Sequence, residues 1–109
     1  MNILFICSRN KWRSATAESI FKKSRNHNVK SAGTAPSAIN KISVKLITWS
    51  DMIFVMEKKH KQILQRKFPN EILEKKIIIL GIEDNYELMD ADLIEILQVS
   101  VKSYVFDIL

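Results

Sequence analysis

The stretch Ile3-Leu4-Phe5-Ile6-Cys7-Ser8-Arg9-Asn10-Lys11-Trp12-Arg13-Ser14 joins an unbroken apolar run to a short polar loop and then to a helical pattern. Four apolar residues in a row, with no polar alternation, are what a strand buried on both faces requires. Beyond the loop, Ala17, Ile20, Phe21 and Ser24 fall at i, i+3, i+4 and i+7, which predicts a helix over residues 14–25 with one small-to-apolar face. A buried strand that turns through a few polar residues into a helix is the opening unit of an α/β sheet.

The alternation continues along the chain. Asn28 to Ser31 reads as a short second strand, closed by the turn-like Ala32-Gly33-Thr34-Ala35-Pro36, and residues 40–49 as a helix. Met52-Ile53-Phe54-Val55-Met56 is another buried strand. A helix over 57–68 follows, with Ile63, Leu64 and Phe68 inward and Pro69 at its end. Lys76 to Leu80 gives a fourth strand. In the last helix Leu93, Leu97, Val101 and Tyr104/Val105 repeat at helical spacing, and Asp90 sits where an N-cap belongs. The pattern predicts a parallel sheet with helices on both faces, within one domain spanning 1–109.

Bulk properties narrow the function classes. At 109 residues there is room for one hydrophobic core, and 47% apolar residues set disorder aside. No window approaches the roughly 18 apolar residues of a membrane span. A signal peptide is not expected, because Met1-Asn2 and the short run to Ile6 lack its basic lead and length. One cysteine makes no internal disulfide, and with two histidines it makes a poor zinc site. The free thiol points to a cytoplasmic setting. Charge is polarised: residues 1–56 carry nine Lys/Arg against two Asp/Glu, and residues 77–109 one against seven. Such a field favours an anionic ligand at the basic end. No basic stripe is interleaved with aromatics, and nucleic acid is not expected as a partner.

The loop from Cys7 to Ser14 carries the chemistry. It lies at the strand-to-helix edge of the sheet, where ligands bind in such folds. Successive backbone N–H groups and a helix N-terminus there form a nest for a phosphate-like oxyanion, with Ser8, Arg9, Asn10, Lys11, Trp12 and Ser14 as its substrate-binding residues. The helix dipole and the Arg13 guanidinium both favour thiolate over thiol at Cys7, giving a nucleophile ready at cellular pH. Arg13 is placed to grip two phosphoryl oxygens with its planar fork. Ser14 is placed to donate to the sulfur, and Asn10 suits a left-handed backbone position.

These residues resemble the low-molecular-weight protein tyrosine phosphatase family, whose signature C-x5-R-S opens just after the first strand. Ala17-Glu18, Ser31-Ala32-Gly33-Thr34 and Asp51-Met52-Ile53-Phe54-Val55-Met56 with its basic helix look like family segments in family order. The resemblance implies a three-layer open sheet of four parallel strands in the order 2-1-3-4, and a phosphatase of phosphotyrosyl proteins or small aryl phosphates. It implies a phosphocysteine intermediate, no metal or other cofactor, and an aspartate that acts first as acid and then as base. Four departures mark the chain as resembling a compact bacterial branch. It is shorter, Arg9 replaces the usual glycine, Ala35-Pro36 replaces an aromatic, and Met89-Asp90-Ala91 lacks the proline of the usual acid pair.

Asp90 is accordingly the expected general acid, with Asp84 in reserve; the competing reading of Asp90 is a helix cap. Trp12 is read as a pocket wall, Trp49 and Phe54 as core, and His27 and His60 as solvent-facing. The alternative to an enzyme is a phosphate- or phosphoprotein-binding module that kept the loop and lost the acid. A thiol-coupled arsenate reductase needs further cysteines, and a phosphocysteine carrier fits Arg13 and Ser14 less well.

Overall fold

β1 (Asn2–Cys7) is buried from Ile3 to Cys7 because it occupies the middle of the sheet. It pairs in parallel with β2 (Asn28–Gly33) on one side, Ile3 opposite Val29, and with β3 (Met52–Val55) on the other, Ile3 opposite Met52. β4 (Lys76–Ile79) adds outside β3, so the order is β2-β1-β3-β4, all parallel. The computed structural model describes residues 1–108. The helices are α1 (Arg13–Phe21), α2 (Val44–Trp49), α3 (Lys58–Lys67) and α4 (Ala91–Lys102). Among the described residues no helix is long and apolar enough to cross a membrane.

The strand period of two sorts the core into two layers. Ile3, Phe5 and Phe54 face Ala17 and Phe21 of α1 and Leu93, Leu97 and Val101 of α4. Leu4, Ile6, Ile53 and Val55 face Ile47 of α2 and Leu64 of α3. The expected three-layer arrangement is the observed one. Phe5 stacks between Phe21, at 5.8 Å between centroids, and Phe54, at 5.2 Å. Truncating such a fully buried ring to alanine costs about 3–5 kcal/mol.

Several boundaries differ from the sequence reading, each for a local reason. α1 starts one residue early, at Arg13, and stops at Phe21. The polar run after Phe21 has nothing to bury against the sheet, and Ser24 closes it with a bond from its N–H to Phe21 O. β2 runs on to Gly33, which the sequence assigned to a turn, because Ile6 and Cys7 pair with Ala32 and Gly33. α2 begins only at Val44, where the Ser43 side chain accepts from Leu46 N at 3.2 Å. Trp49 is half-buried rather than core, with Lys30 Nζ 4.5 Å from its ring centroid. The last helix ends at Lys102, and Tyr104 beyond it leans edge-on against Phe54.

Candidate active site

The C-terminal ends of β1, β3 and β4 feed three loops into one corner of the sheet, and a cleft of about 340 Å³ opens there. It is lined by Cys7, Ser8, Arg9, Lys11, Trp12 and Arg13, and by Asp84 from the loop after β4.

The cradle loop is shaped by where its carbonyls go. Those of Cys7, Ser8 and Arg9 accept from the N–H groups of Thr34, Ala35 and Ile39, and that of Trp12 from Thr16. Among the described residues the N–H groups of residues 8–12 donate to no protein acceptor. Backbone donors left together in this way, ahead of a helix N-terminus, form an anion nest. Asn10 holds the turn in the left-handed region, φ 56°, as expected from its residue type. Gly33 is what lets the loop lie so close to β2. A Cβ there would stand 2.5 Å from the Ser8 carbonyl oxygen and 2.8 Å from Asn10 N.

Behind the loop runs a buried hydrogen-bond chain that ends on the sulfur. Asn10 Nδ2 donates to Ser31 Oγ and to Ser14 Oγ, each at 2.8 Å, and Ser31 Oγ donates to Glu18 Oε1 at 2.5 Å. Ser14 Oγ lies 2.9 Å from Cys7 Sγ and 3.3 Å from Ala32 O. Since Asn10 occupies its acceptor side, the Ser14 hydrogen is free to turn to the nearer sulfur and stabilise a thiolate. Asn10 and Ser14, predicted to bind substrate, are buried and stand behind the wall rather than in it.

Arg13 is 2% exposed and is pinned by one nitrogen. Its Nη1 donates to Glu57 Oε2 at 2.6 Å and to Ile82 O at 2.9 Å, which uses both Nη1 hydrogens. The Nε and Nη2 edge remains, and that is the fork a phosphoryl group needs. Asp84 Oδ1 sits 3.6 Å from Nε. Burial alone would raise the Glu57 carboxyl, but the Arg13 hydrogen bond and charge, helped by Lys59 and His60, hold it below the usual carboxylate range. An anchored guanidinium needs no reorganisation when charge develops near it.

His60 overturns its sequence assignment. It was read as solvent-facing and is fully buried in the first turn of α3. Its surrounding cations belong to the wet face of that helix, while the ring itself packs beneath the cradle through a 2.9 Å bond to Ser8 Oγ. Burial, with the Arg13 charge next and Lys59 behind it, pushes its pKa down to about 4, against the pull of Glu57 and Asp84. His27 is also less open than expected, its side chain 7% exposed and bonded to Asp107 at 2.7 Å.

Asp90 does not line the cleft. It caps α4, its Oδ1 accepting from Asp92 N at 2.8 Å and Leu93 N at 3.4 Å. Of the two aspartates weighed from sequence, it is Asp84, 56% exposed and beside Arg13, that reaches the cleft. Glu57 and His60 were missed. The available signal was their position directly after a buried strand, at the sheet edge where ligands bind.

Residues 2–48 match the family model described as low molecular weight phosphotyrosine protein phosphatase. No curated protein matches the chain. Among solved structures it is similar to the tyrosine phosphatase Wzb from Escherichia coli K30 in complex with phosphate, at 21% identity and TM-score 0.78, with 96% of each chain covered. It is similar to the YwlE arginine phosphatase from Geobacillus stearothermophilus, at 18% identity and TM-score 0.71, covering 96% of this chain and 94% of that one. A protein tyrosine phosphatase from Entamoeba histolytica gives 21% identity and TM-score 0.73, with 97% and 94% covered. At these identities the structures speak to the fold, and the sequence match speaks to the segment that builds the cradle. Over residues 2–48 the chain is similar in sequence to the low molecular weight phosphotyrosine protein phosphatases, and along its length it is similar in fold to these solved structures.

Proposed function

We propose that the chain, a single domain over residues 1–109, is a cysteine-dependent phosphomonoester hydrolase that forms and breaks a phosphocysteine. The observation that carries this reading is the convergence in one cleft of Cys7, the pinned Arg13 and Asp84. The Cys7 thiolate attacks phosphorus, and the P–O bond to the leaving group breaks as the P–S bond forms. Loop amides and the Nε/Nη2 edge of Arg13 hold the equatorial oxygens, the largest expected term in such catalysis. Asp84 gives its proton to the departing oxygen. It then takes one from a water, whose oxygen attacks phosphorus and releases the Cys7 thiolate and inorganic phosphate.

The leaving-group side of the cleft supports an aryl ester. Trp12 forms part of the wall, and Lys11 Nζ lies 5.2 Å from its ring centroid. Phosphotyrosine on a protein, or a small aryl phosphate, is the substrate this wall accommodates, with the ring against Trp12 and the phosphate in the nest. A nucleophile that works as a free thiol fits a reducing, cytoplasmic setting.

Turnover of an aryl phosphate by the protein and by its Cys7→Ser variant is the direct test. The variant is expected to fold and to lose all measurable activity; activity that survives it overturns the mechanism. A phosphoarginine peptide assayed alongside phosphotyrosyl peptide asks whether the chain shares the activity named for the YwlE structures. Phosphate binding with no turnover of any ester would favour the binding-module reading instead.

A further inference from the structure

Two hydrogen bonds hold His60 against the cradle, and the chemistry proposed above uses neither. Its Nδ1 accepts from the backbone N–H of Glu57 at 3.0 Å. A ring nitrogen that accepts from an amide carries no hydrogen, so in the neutral ring Nε2 carries it. That Nε2–H meets Ser8 Oγ at 2.9 Å. The Ser8 oxygen is therefore an acceptor on its His60 side, and its own hydrogen is left to turn elsewhere. Ser8 lines the cleft with Cys7 and Arg13, so the partner on that side is whatever anion the loop holds.

We infer that His60 is a positioning residue of the cradle: it fills the acceptor side of the Ser8 hydroxyl and so aims that hydroxyl's hydrogen at a phosphoryl oxygen. The inference rests on the phosphatase reading and deepens it. It adds one oriented side-chain donor to the backbone amides and Arg13. Because the ring has no exposed surface and its two nitrogens are both engaged, the donor is set before substrate arrives. The neutral ring that burial and Arg13 enforce keeps this tautomer across the physiological range.

A competing role for His60 is purely structural, since its Nδ1 also satisfies an amide at the start of α3. Two substitutions separate the roles. In His60→Asn a short side-chain oxygen remains to accept from Glu57 N–H, but no donor reaches Ser8. In His60→Gln a donor reaches Ser8 while the bond to Glu57 is lost. The measurements are kcat/KM for p-nitrophenyl phosphate and the Kd for inorganic phosphate by calorimetry, with thermal unfolding as the control. Ser8→Ala and His60→Asn are each expected to weaken both quantities about tenfold, the worth of one charge-assisted hydrogen bond. The double variant is expected to be no worse than Ser8→Ala alone, because both changes remove one donor. His60→Gln is expected to lose thermal stability while recovering most of the His60→Asn loss. Ser8→Thr, with His60 intact, is expected to recover most of the Ser8→Ala loss.

His60→Asn within twofold of the parent in both quantities would overturn the inference. So would losses that multiply in the double variant, or a Ser8→Thr as impaired as Ser8→Ala. If the parent turns over no ester, the phosphatase reading fails, and the phosphate affinities still decide the role of His60.

Discussion

The cleft is built from two loops held in opposite ways. The cradle, residues 7–14, is tied on every side: three carbonyls to the segment after β2, Asn10 and Ser14 to the buried chain behind, Arg13 to Glu57. The loop after β4 that carries Asp84 is held at its entry by Leu80 N to Val55 O and Ile82 N to Met56 O, and at its exit by Met89 N to Thr16 Oγ1. Between those ties Glu83, Asp84 and Asn85 are exposed. A nucleophile and its oxyanion donors gain from being fixed, because misplacement by an ångström is costly. An acid that must meet a leaving group and then a water gains from an arm with room to move.

Asp84→Asn tests the exposed side and carries the largest expected effect. Loss of leaving-group protonation is worth about 10² to 10⁴ in rate, so kcat for a phosphotyrosyl peptide is expected to fall within that range. For an aryl phosphate with an acidic phenol the loss is expected to be smaller, since that leaving group needs less help. An Asp84→Asn protein as active on both esters as the parent would break the contrast between the loops.

Gly33→Ala tests the fixed side. The added methyl must displace the Ser8 carbonyl or the Asn10 amide, both backbone atoms of the cradle. A shift of about an ångström in such a loop costs on the order of 10²-fold in kcat/KM. The phosphate Kd is expected to rise with it, and no such rise is expected for Asp84→Asn. Unchanged kcat/KM and Kd in Gly33→Ala would show the cradle to be less rigidly fixed than its bonds imply.

The same contrast explains what the sequence revealed. The cradle was legible because its parts lie within eight residues and each has a local cause: buried strand, left-handed Asn10, arginine one helical start away. Ser31 and Gly33 were legible only by resemblance, since their partners lie across a strand pairing. That Asp84 and not Asp90 lines the cleft was not legible, because an aspartate before Leu93 and Leu97 announces a helix by itself, while Asp84 owes its place to the end of β4. His60 was hidden by the five cations of its own helix. Those cations describe the wet face and say nothing of a ring that turns toward Ser8 and Arg13 from other elements.

Stability against pH probes the buried side of the cradle. Unfolded, His60 takes its proton near its ordinary 6.5; folded, burial and Arg13 delay it to about 4, with Lys59 acting the same way and Glu57 and Asp84 opposing. Between those values the unfolded chain binds more protons, so stability falls as pH falls from 6.5 to 4. The full loss is on the order of 3 kcal/mol. From about 4.5 downward Glu57, whose folded carboxyl is held low, adds a loss of the same sign. Urea midpoints taken from pH 7 to 4.5 are expected to drop steadily in the parent. In His60→Asn most of that slope is expected to vanish, and an unchanged slope would mean that another group carries it.

The smallest expected effect separates Asp90 from catalysis. Its carboxylate serves two amides of the first turn of α4, Asp92 N and Leu93 N, and lines no part of the cleft. An N-cap aspartate replaced by alanine costs about 1 kcal/mol, which in a chain of this size lowers the melting temperature by roughly 4–8 °C. The kinetics of Asp90→Ala at a temperature well below that transition are expected to match the parent. The α4 cap lies next to Met89, whose N–H is bonded to α1 at Thr16, so loosening the cap leaves the exit of the Asp84 loop tied. Were Asp90→Ala to lose 10²-fold in kcat with its melting temperature intact, the acid would be at the helix start after all. The exposed arm between Ile82 and Met89 would then have to be read as packing rather than chemistry.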